Sequence, residues 1–532
     1  MRNRVYDLTV AGAPRPCQRT ESRIAVGLVI LVLVSSGAAA ETWQRVSVPD
    51  TPVAVGRLIN EGADFEGSVR RDGRVWLFAE AAEALGWRGL GVDLRVEVED
   101  VEAAYAKRLA AAPAEPGEFA EGSMGGNFTY SEVVTKMEEY RAGRPEIVGV
   151  QTKIGSSIQR RAVWAYKISD NPSKTEGEPR VLLTGLTHAR EPQGMMSLLY
   201  FVRDLVESYG SDPRATWLVN SREIWVVPVV NPDGYVYNEQ KAPSGGGMHR
   251  KNMRVNSDGS SGVDLNRNFG YMWGYNDEGS SPQPRSEVYR GTGPFSEPET
   301  TALKKFCEKQ KFGTALNLHS FGNYLIHPWG YTESIPEPTL MPWLGGLLAK
   351  HNQFLVGTGY TTVGYPTNGD ADDYMYGARG VLAFTPEVGG DDDGFWPDRA
   401  QIEPLAQLTL EMLQTAAAAA GGFAAIDSST ISGDGTLHAG RNATLRLTVS
   451  TCDPAGTTFG VAVRVYSNDS RVVVTTGSSF SLSAGSSVSA RTRVVGVRGG
   501  TITKSARVPI KVAFAAQGRV LSTQTVQVPV AP

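Results

Sequence analysis

The middle of the chain alternates between two hydrophobic patterns. One is a continuous apolar run of strand length, and it occurs four times, at 181–187, 224–230, 314–318 and 381–385. Such runs are typical of strands that are buried on both faces of a sheet. The stretches between them carry the amphipathic pattern of helices. Alternating strands and helices predict an α/β fold with a mixed, largely parallel sheet flanked by helices.

Three helix starts carry recognisable signals. Thr129 with Glu132 predicts a capping box, and Ser296 with Glu299 predicts a second one. Pro192 suits the first turn of a helix that follows the first strand run. These signals mark where strand-like sequence gives way to helical sequence.

The two flanks differ in composition from this central part. Residues 41–112 form a small α+β segment, which ends in a Pro/Ala-rich linker at 110–118. The last hundred or so residues are rich in Thr, Ser, Val and Gly, and short alternating runs there predict an all-β sandwich. We therefore expect three folded units, at 41–117, 118–422 and 423–532.

The start of the chain has the pattern of a secretory signal peptide, which we assign to residues 1–40. Arg19 and Arg23 precede an apolar run at 24–36, and three alanines follow at 38–40. The run is shorter than the ~20 apolar residues of a membrane span. We expect a secreted protein, extracellular or periplasmic, without stable membrane insertion; an uncleaved anchor is the alternative.

Charge and cysteine content narrow the class of protein further. The chain of 532 residues carries 52 basic and 56 acidic side chains, a net charge of −4. This balance argues against a nucleic-acid partner or an anionic membrane surface. Beyond the predicted signal, the cysteines are Cys307 and Cys452, which we expect to be two buried thiols in different units.

Four polar clusters follow the predicted strands. His188 and Glu191 follow the first, the stretch 231–234 (Asn-Pro-Asp-Gly) the second, His319 the third and Glu387 the fourth. In open α/β sheets, ligands bind beyond the carboxyl ends of the strands, so these side chains are expected at one edge. A lone histidine at a strand end is usually an ordinary hydrogen-bonded residue.

The combination is more specific than any one histidine. His188, Glu191 and His319 offer the nitrogen and oxygen donors of a catalytic zinc site, which keeps one coordination position open. Glu387 is then the candidate general base. The sequence therefore predicts one zinc ion per chain at this edge of the sheet.

Five short motifs occur in an order that resembles the zinc metallocarboxypeptidases, the family of carboxypeptidases A and B and bacterial carboxypeptidase T. The resemblance covers roughly residues 120–420. Its motifs are His-Ala-Arg-Glu at 188–191, Asn-Pro-Asp-Gly at 231–234, Asp-Leu-Asn-Arg-Asn-Phe at 264–269, Leu-His-Ser at 318–320 and Phe-Thr-Pro-Glu at 384–387.

The resemblance implies a role for each matching residue. His188, Glu191 and His319 match the zinc ligands, and Glu387 matches the residue that deprotonates the zinc-bound water and later protonates the leaving amine. Further matches concern the substrate: Asn266 and Arg267 grip its terminal carboxylate, Tyr365 is a mobile tyrosine, and Arg190 is an accessory binding arginine. A planar guanidinium suits bidentate binding of a carboxylate.

The family also has an arginine that polarises the scissile carbonyl and stabilises the oxyanion. The stretch 249–254 (His-Arg-Lys-Asn-Met-Arg) offers Arg250 and Arg254. Of these two, Arg254 is the one we favour from the sequence.

An acidic loop predicts the substrate preference. Asp372 stands where family members that remove C-terminal Lys or Arg carry an aspartate, and Asp370 where the broad-specificity bacterial enzyme carries one. An acidic pocket favours basic C-terminal residues by charge pairing. The alternative is that these aspartates are solvated or cap the next helix.

We therefore predict a secreted zinc exopeptidase whose partners are peptide or protein substrates with a free C-terminal carboxylate. The segment 41–117 stands where many family members carry a propeptide, although an ordinary accessory segment is the alternative. A cell-wall peptidase or amide deacylase on the same zinc site is one rival function. A catalytically inactive binding module is the other.

Overall fold

The computed structural model describes residues 42–110, 119–453, 459–484, 488–516 and 519–532. The predicted signal peptide at 1–40 lies outside the described residues, as does most of the predicted linker, 111–118.

The N-terminal unit is a four-stranded antiparallel sheet with three helices. The strand order is β2-β3-β1-β4. Its elements in chain order are β1 (Trp43–Pro49), α1 (Pro52–Asn60), β2 (Val69–Arg71), β3 (Arg74–Glu80), α2 (Ala81–Gly89), β4 (Arg95–Val98) and α3 (Val101–Ala110). Its small core packs residues of β1 and β3 against α1 and α2, and Tyr365 of the central unit joins that core.

The central unit contains an eight-stranded mixed sheet with helices on both faces. Its elements are α4 (Tyr130–Gly143), β5 (Thr152–Ser156), β6 (Ala162–Ile168), β7 (Arg180–Thr184), α5 (Pro192–Ser208), α6 (Pro213–Val219), β8 (Glu223–Val227), α7 (Pro232–Lys241), α8 (Pro298–Gln310), β9 (Thr314–Asn317), β10 (Tyr324–Ile326), α9 (Leu340–Leu348), β11 (Leu355–Gly357), α10 (Ala371–Arg379), β12 (Leu382–Glu387) and α11 (Arg399–Ala419). A short 3-10 turn covers Leu265–Arg267.

The sheet order is β11-β10-β12-β9-β7-β8-β6-β5, and the four central strands are parallel to one another. These four are the strands that the apolar runs predicted. Alternate residues of β7 enter different cores: Val181 and Leu183 pack on one face of the sheet, and Leu182 packs on the other. The predicted α/β fold with a mixed, largely parallel sheet is confirmed.

The helix signals were only partly right. The capping box of Thr129 and Glu132 is present at the start of α4. The one predicted at Ser296 is wrong, because α8 begins at Pro298, and its N-cap, Glu297, makes no side-chain capping bond. The Ser296 hydroxyl instead donates to the Glu297 carboxylate at 2.9 Å.

The C-terminal unit is all-β. Its strands are β13 (Phe423–Ile431), β14 (Leu437–His438), β15 (Asn442–Cys452), β16 (Phe459–Tyr466), β17 (Val472–Thr476), β18 (Ser479–Ala484), β19 (Ser489–Gly499), β20 (Ala506–Ala516) and β21 (Arg519–Ala531). They form two sheets, ordered β13-β15-β19-β17 and β14-β21-β20-β16-β18. The sheets share an apolar core of alternating residues, which agrees with the sandwich that the sequence predicted.

Cys307 and Cys452 are both buried and lie in different units, Cys307 in α8 and Cys452 at the end of β15, as expected. Within the described ranges, no helix combines the length and the apolar content that crossing a bilayer requires.

Candidate metal centre

His188 and Glu191 lie in the loop between β7 and α5. The Asn231 side chain secures this loop, since its amide donates to the carbonyl of Thr187 at 3.3 Å and to that of Lys251 at 3.0 Å. Glu191 is the N-cap residue of α5. The motif at 231–234 is therefore structural here: it joins the loop before the first histidine to a second loop.

The carboxyl ends of β9 and β12 bring His319 beside Glu387. The two residues face each other across a parallel bridge, in which the His319 N–H donates to the Pro386 carbonyl at 2.9 Å. The Val388 N–H in turn donates to the His319 carbonyl at 2.9 Å. Backbone pairing, rather than loop conformation, sets the spacing of these two side chains.

The helix α5 approaches β9 closely enough to bring Glu191 to His319. Gly194 makes this possible, because a Cβ at that position would lie 2.8 Å from the Leu318 carbonyl oxygen. One Glu191 carboxylate oxygen lies 3.0 Å from His188 Nδ1, and the other lies 2.9 Å from His319 Nδ1. The three predicted zinc ligands thus converge.

A fourth donor completes the cluster, and it comes from the N-terminal unit. Glu66 Oε2 lies 3.4 Å from His188 Nδ1, and Glu66 Oε1 lies 3.8 Å from His319 Nδ1. Donor atoms of Glu66, His188, Glu191 and His319 all lie within 4.8 Å of one another, and all four residues are buried. Glu66 was not among the predicted ligands, since no motif in the sequence marks it.

This donor set fits zinc. The two Nδ1 atoms lie 3.0 Å apart. Ligands held about 2.0–2.1 Å from a tetrahedral zinc are separated by roughly 3.3 Å, close to the distances found here. Two imidazoles and two carboxylates are also among the donor types that zinc prefers.

Asp264 orients the first histidine. Its Oδ1 lies 3.1 Å from His188 Nε2, which leaves Nδ1 to face the cluster. Such a carboxylate–histidine pair fixes the tautomer and the ring orientation of a metal ligand. The other oxygen, Oδ2, accepts from Arg250 Nη2 at 2.8 Å and from Nε at 3.2 Å. In the sequence, Asp264 lies within the motif at 264–269, and nothing there indicates this orienting role.

Charge dominates the protonation of this cluster. Burial lowers the pKa of His188, but the surrounding carboxylates outweigh burial and raise that pKa to about 9. Burial raises the pKa of Asp264, but the Arg250 guanidinium holds it well below its usual value. A bound dication would take the place of the proton on His188.

Glu387 is almost fully buried, and its Oε2 has no hydrogen-bond partner among the described residues. Burial and the nearby carboxylates of Glu66 and Glu191 raise the pKa of Glu387 well above its usual value. A carboxyl group that holds a proton more tightly than usual suits transfer of that proton near neutral pH.

The structure places the two candidate arginines differently. Arg250 is fully buried and contacts Glu66, with its Nη1 3.1 Å from His188 Nδ1. Arg254, which the sequence analysis favoured, points elsewhere: its Nε lies 2.7 Å from the Glu297 carboxylate, and its Nη2 donates to the Ser296 carbonyl. Arg254 is not brought to the cluster, whereas Arg250 is.

The predicted carboxylate clamp is connected to the cluster through Asp264, whose Oδ1 accepts from the Asn266 N–H at 2.8 Å and also lies 3.1 Å from His188 Nε2. Asn266 accepts a hydrogen bond from the Ala371 N–H at 3.0 Å, which connects the 3-10 turn to α10. Arg267 is buried, and its Nε has no hydrogen-bond partner among the described residues. Tyr365 is buried as well, and its ring lies 5.9 Å from that of Phe65 in the N-terminal unit.

Arg190 is also covered by the N-terminal unit. Its guanidinium forms an ion pair with Asp64 and lies 5.4 Å from the ring of Trp43 and 4.2 Å from that of Phe395. Two of its nitrogens, Nε and Nη1, have no hydrogen-bond partner among the described residues.

The two aspartates of the acidic loop, Asp370 and Asp372, have different contacts. Asp370 is the N-cap of α10, where it accepts from the Asp373 N–H at 2.8 Å. Asp372 lies deeper, between Asn317 of β9 and Thr385 of β12, with contacts of 2.7 and 2.8 Å. Because side chains alternate along a strand, Asn317 and Thr385 face the same way as His319 and Glu387. Asp372 therefore lies on the side of the sheet edge that carries the cluster.

Burial, together with the neighbouring Asp370, raises the pKa of Asp372 to about 7. Both contacts of Asp372 come from donors, the Asn317 amide and the Thr385 hydroxyl, so they stabilise its ionised form. The side chain is consequently poised to change charge near neutral pH.

Comparison with known proteins agrees with this geometry. A family model described as zinc carboxypeptidase matches residues 133–412. Mouse carboxypeptidase A4 is 32% identical over 343 residues, which cover 61% of this chain and 78% of that protein. The zinc carboxypeptidase of Saccharothrix mutabilis subsp. capreolus is 30% identical over 287 residues, 51% of this chain and 64% of the relative.

The same family appears among solved structures. The carboxypeptidase A of Helicoverpa armigera matches with a TM-score of 0.61 at 24% identity, and the match covers 72% of this chain and 98% of that one. This likeness shows the fold. The family match spans more than half of the chain and contains all three predicted zinc ligands. The chain therefore belongs to the zinc carboxypeptidase family, whose members are zinc-dependent peptide hydrolases.

Proposed function

We propose that this protein is a secreted metallocarboxypeptidase that hydrolyses the C-terminal peptide bond of peptides and proteins. The observation that carries the proposal is the proximity of three groups: the ligand cluster, the buried Glu387, and the pair Asn266 and Arg267, which is joined to the cluster through Asp264. An exopeptidase needs all three, because it must recognise a chain end next to the reacting carbonyl.

Zinc and Glu387 have separate roles in the proposed hydrolysis. When bound, zinc acts as a Lewis acid that polarises a carbonyl and lowers the pKa of water to about 7. Glu387 removes the proton from the attacking water and later returns a proton to the leaving amine. Its elevated pKa matches both steps, because the same carboxyl group must be basic first and acidic afterwards.

Arg250 is the residue that stabilises the oxyanion. It is fully buried, and the carboxylate of Asp264 holds its Nη2 and Nε. Its Nη1 faces the histidines, where charge develops on the substrate carbonyl. A donor that is fixed before the reaction stabilises the transition state without reorganisation.

Substrate binding involves the neighbouring side chains. Arg267 and Asn266 hold the terminal carboxylate, Tyr365 closes over it, and Arg190 contacts the more distant part of the peptide. Asp372 lies where it can pair with a basic C-terminal side chain. We accordingly propose a preference for C-terminal Arg or Lys. Secretion is proposed from the sequence pattern of residues 1–40.

Activity is tested with blocked dipeptides. For this test, an endopeptidase site is inserted within residues 111–118, so that the N-terminal unit can be severed from the folded chain. We expect the severed protein to cleave hippuryl-Arg and hippuryl-Phe, to lose this activity with a chelator, and to recover it with zinc. Glu387→Gln should lower kcat by roughly 10²–10⁴-fold.

The decisive comparison is with C-terminally amidated peptides. A carboxypeptidase must reject them, because Arg267 then has no carboxylate to bind. Equal cleavage of free and amidated peptides would point to the deacylase or cell-wall alternative instead. If the severed, zinc-loaded protein hydrolyses none of these peptides, the remaining hypothesis is a catalytically inactive binding module.

A further inference from the structure

Three consecutive residues of the N-terminal unit, Asp64, Phe65 and Glu66, enter the candidate active site. They lie in the connection between α1 and β2, and all three are buried. Each contacts a different functional group of the central unit. We call this stretch the acidic plug.

A tight turn and a glycine shape the backbone of the acidic plug. Asp64 Oδ1 accepts from the Glu66 N–H at 2.9 Å, which closes a tight turn. Gly67 has a φ of +70°, and a Cβ there would lie 2.9 Å from the rings of both Phe321 and Phe395. The plug therefore enters the site only because a glycine follows it.

Two members of the plug hold substrate-binding groups. Asp64 forms an ion pair with Arg190, and the ring of Phe65 packs against that of Tyr365. A carboxylate and a ring are the kinds of group that a peptide substrate presents. The plug thus engages the residues that the proposed function assigns to substrate.

The third member, Glu66, reaches the metal centre. It lies among the donor atoms of His188, Glu191 and His319, and it also contacts Arg250. Catalytic zinc sites have three protein ligands and keep one position for water or substrate, whereas structural sites have four. A second carboxylate at this point converts an open site into a closed one.

We propose that Glu66 is a fourth zinc ligand, so that the N-terminal unit inhibits the enzyme by closing its metal site. This inference rests on the proposed function, and it goes beyond coverage of a cleft by a flanking unit. In this arrangement, zinc holds the inhibitory N-terminal unit on the active site through Glu66. Binding of zinc and docking of the N-terminal unit then favour each other, and by linkage each raises the affinity of the other by the same factor.

The first experiment measures metal binding by the full-length chain, without substrate. Zinc affinity is determined by competition with a chromophoric chelator for wild type, Glu66→Gln and Glu61→Gln. Glu61 is the matched control, because it lies just before the plug and is exposed. We expect Glu66→Gln to lower zinc affinity by about tenfold or more, as losses of supporting groups at metal sites commonly do. Glu61→Gln should match wild type.

Cobalt substitution reports the ligand set directly. The visible absorption of Co²⁺ in the full-length wild type should change in Glu66→Gln and stay unchanged in Glu61→Gln, because the bands depend on ligand type and geometry. If Glu66→Gln folds poorly, Glu66→Asp replaces it; shortening the side chain should likewise weaken zinc binding. Unchanged affinity together with an unchanged cobalt spectrum would overturn the proposal.

The second experiment tests linkage. In the severed protein, the affinity of the N-terminal fragment for the remainder is measured with and without zinc. We expect zinc to tighten fragment binding by the factor found for Glu66 in the metal titration, and Glu66→Gln to abolish this zinc effect. Equal fragment affinity with and without zinc would contradict the inference. Neither readout uses hydrolysis, so failure of the proposed peptidase activity is recognised separately.

Discussion

At the scale of single residues, the main change concerns the arginine of the active site. The sequence offered two candidates, and the structure gives them opposite surroundings. Arg250 is enclosed by the carboxylates of Asp264 and Glu66 beside the histidines. Arg254 is paired with the fully buried Glu297. Arg254 therefore neutralises the buried charge of Glu297.

Arg250→Ala should lower kcat by about 10²–10³-fold in the severed protein, the usual cost of one oxyanion donor. Arg254→Ala should leave kcat within about threefold of wild type and instead lower thermal stability, because it leaves the buried Glu297 carboxylate without its cationic partner. Steady-state kinetics and thermal unfolding of both variants check the assignment. The reverse pattern would return the role to Arg254.

Asp372 predicts a substrate preference that depends on pH. Its pKa of about 7 means that it is largely neutral at pH 6 and largely ionised at pH 8. A cationic C-terminal side chain gains from charge pairing only when Asp372 is ionised. The ratio of kcat/KM for hippuryl-Arg over hippuryl-Phe should therefore rise between these pH values, by roughly tenfold at most.

Asp372→Asn is the control for that measurement, because asparagine has nearly the same shape and no charge. The ratio should be lower in this variant at pH 8 and should no longer change with pH. A wild-type ratio that is flat across pH 7 would show that Asp372 does not contact the substrate.

At the scale of elements, the metal centre depends on how closely α5 packs on β9. Gly194→Ala introduces a Cβ only 2.8 Å from a backbone oxygen, so the helix must move. Because Glu191 occupies the N-cap position of that helix, it should move away from His319. We expect a loss of about 1–3 kcal/mol in unfolding free energy, together with weaker zinc binding.

Gly346→Ala in α9 is the matched control. It is a helical glycine of the same unit, and nothing lies within 4 Å of its added Cβ. Replacement there should stabilise the protein by about 0.5–1 kcal/mol and leave zinc affinity unchanged. Chemical denaturation and the chelator titration separate the two effects. Equal zinc affinity in both variants would mean that the approach of α5 does not position Glu191.

At the scale of the whole molecule, the N-terminal unit covers the active site. The contacts of the acidic plug are supported by α3, where Arg108 donates to the carbonyls of Asp392, Asp393 and Trp396. The full-length chain should be at least ~100-fold less active than the severed protein, the ratio expected for a site blocked 99% of the time. Hydrolysis measured before and after severing checks this.

Arg108→Ala should raise the residual activity of the full-length chain, because it weakens docking without touching the metal centre. Lys107→Ala is the control, since Lys107 is an exposed neighbour on the same helix. An increase with both variants would point to a general loss of stability. No increase with Arg108→Ala would mean that Arg108 does not contribute to docking.

The C-terminal sandwich has its own apolar core. It contacts the central unit on the side of α9, where Trp343 Nε1 donates to Asp427 at 3.1 Å and Lys350 donates to the Ile426 carbonyl at 3.3 Å. Neither contact involves a residue of the metal cluster. The described residues of this unit therefore have no part in the chemistry proposed here.

Much of this molecule could be predicted from the sequence alone. Apolar runs of strand length are dictated by burial on both faces, so they identified β7, β8, β9 and β12 and the α/β class. Polar residues directly after those runs lie at one sheet edge for any parallel arrangement. That rule, with the resemblance, was sufficient to predict that His188, Glu191, His319 and Glu387 lie at one site, since the pairing of parallel strands places the ends of β7, β9 and β12 at the same edge.

Only the tertiary structure decided the rest. The choice between Arg250 and Arg254 depends on the path of a loop without regular structure, where sequence spacing does not fix direction. The separation of Asp370, which caps α10, from Asp372, which contacts β9 and β12, depends on which way the first turn of α10 faces. Glu66 is the clearest case: it belongs to another folded unit, and no local pattern specifies where one unit docks on another.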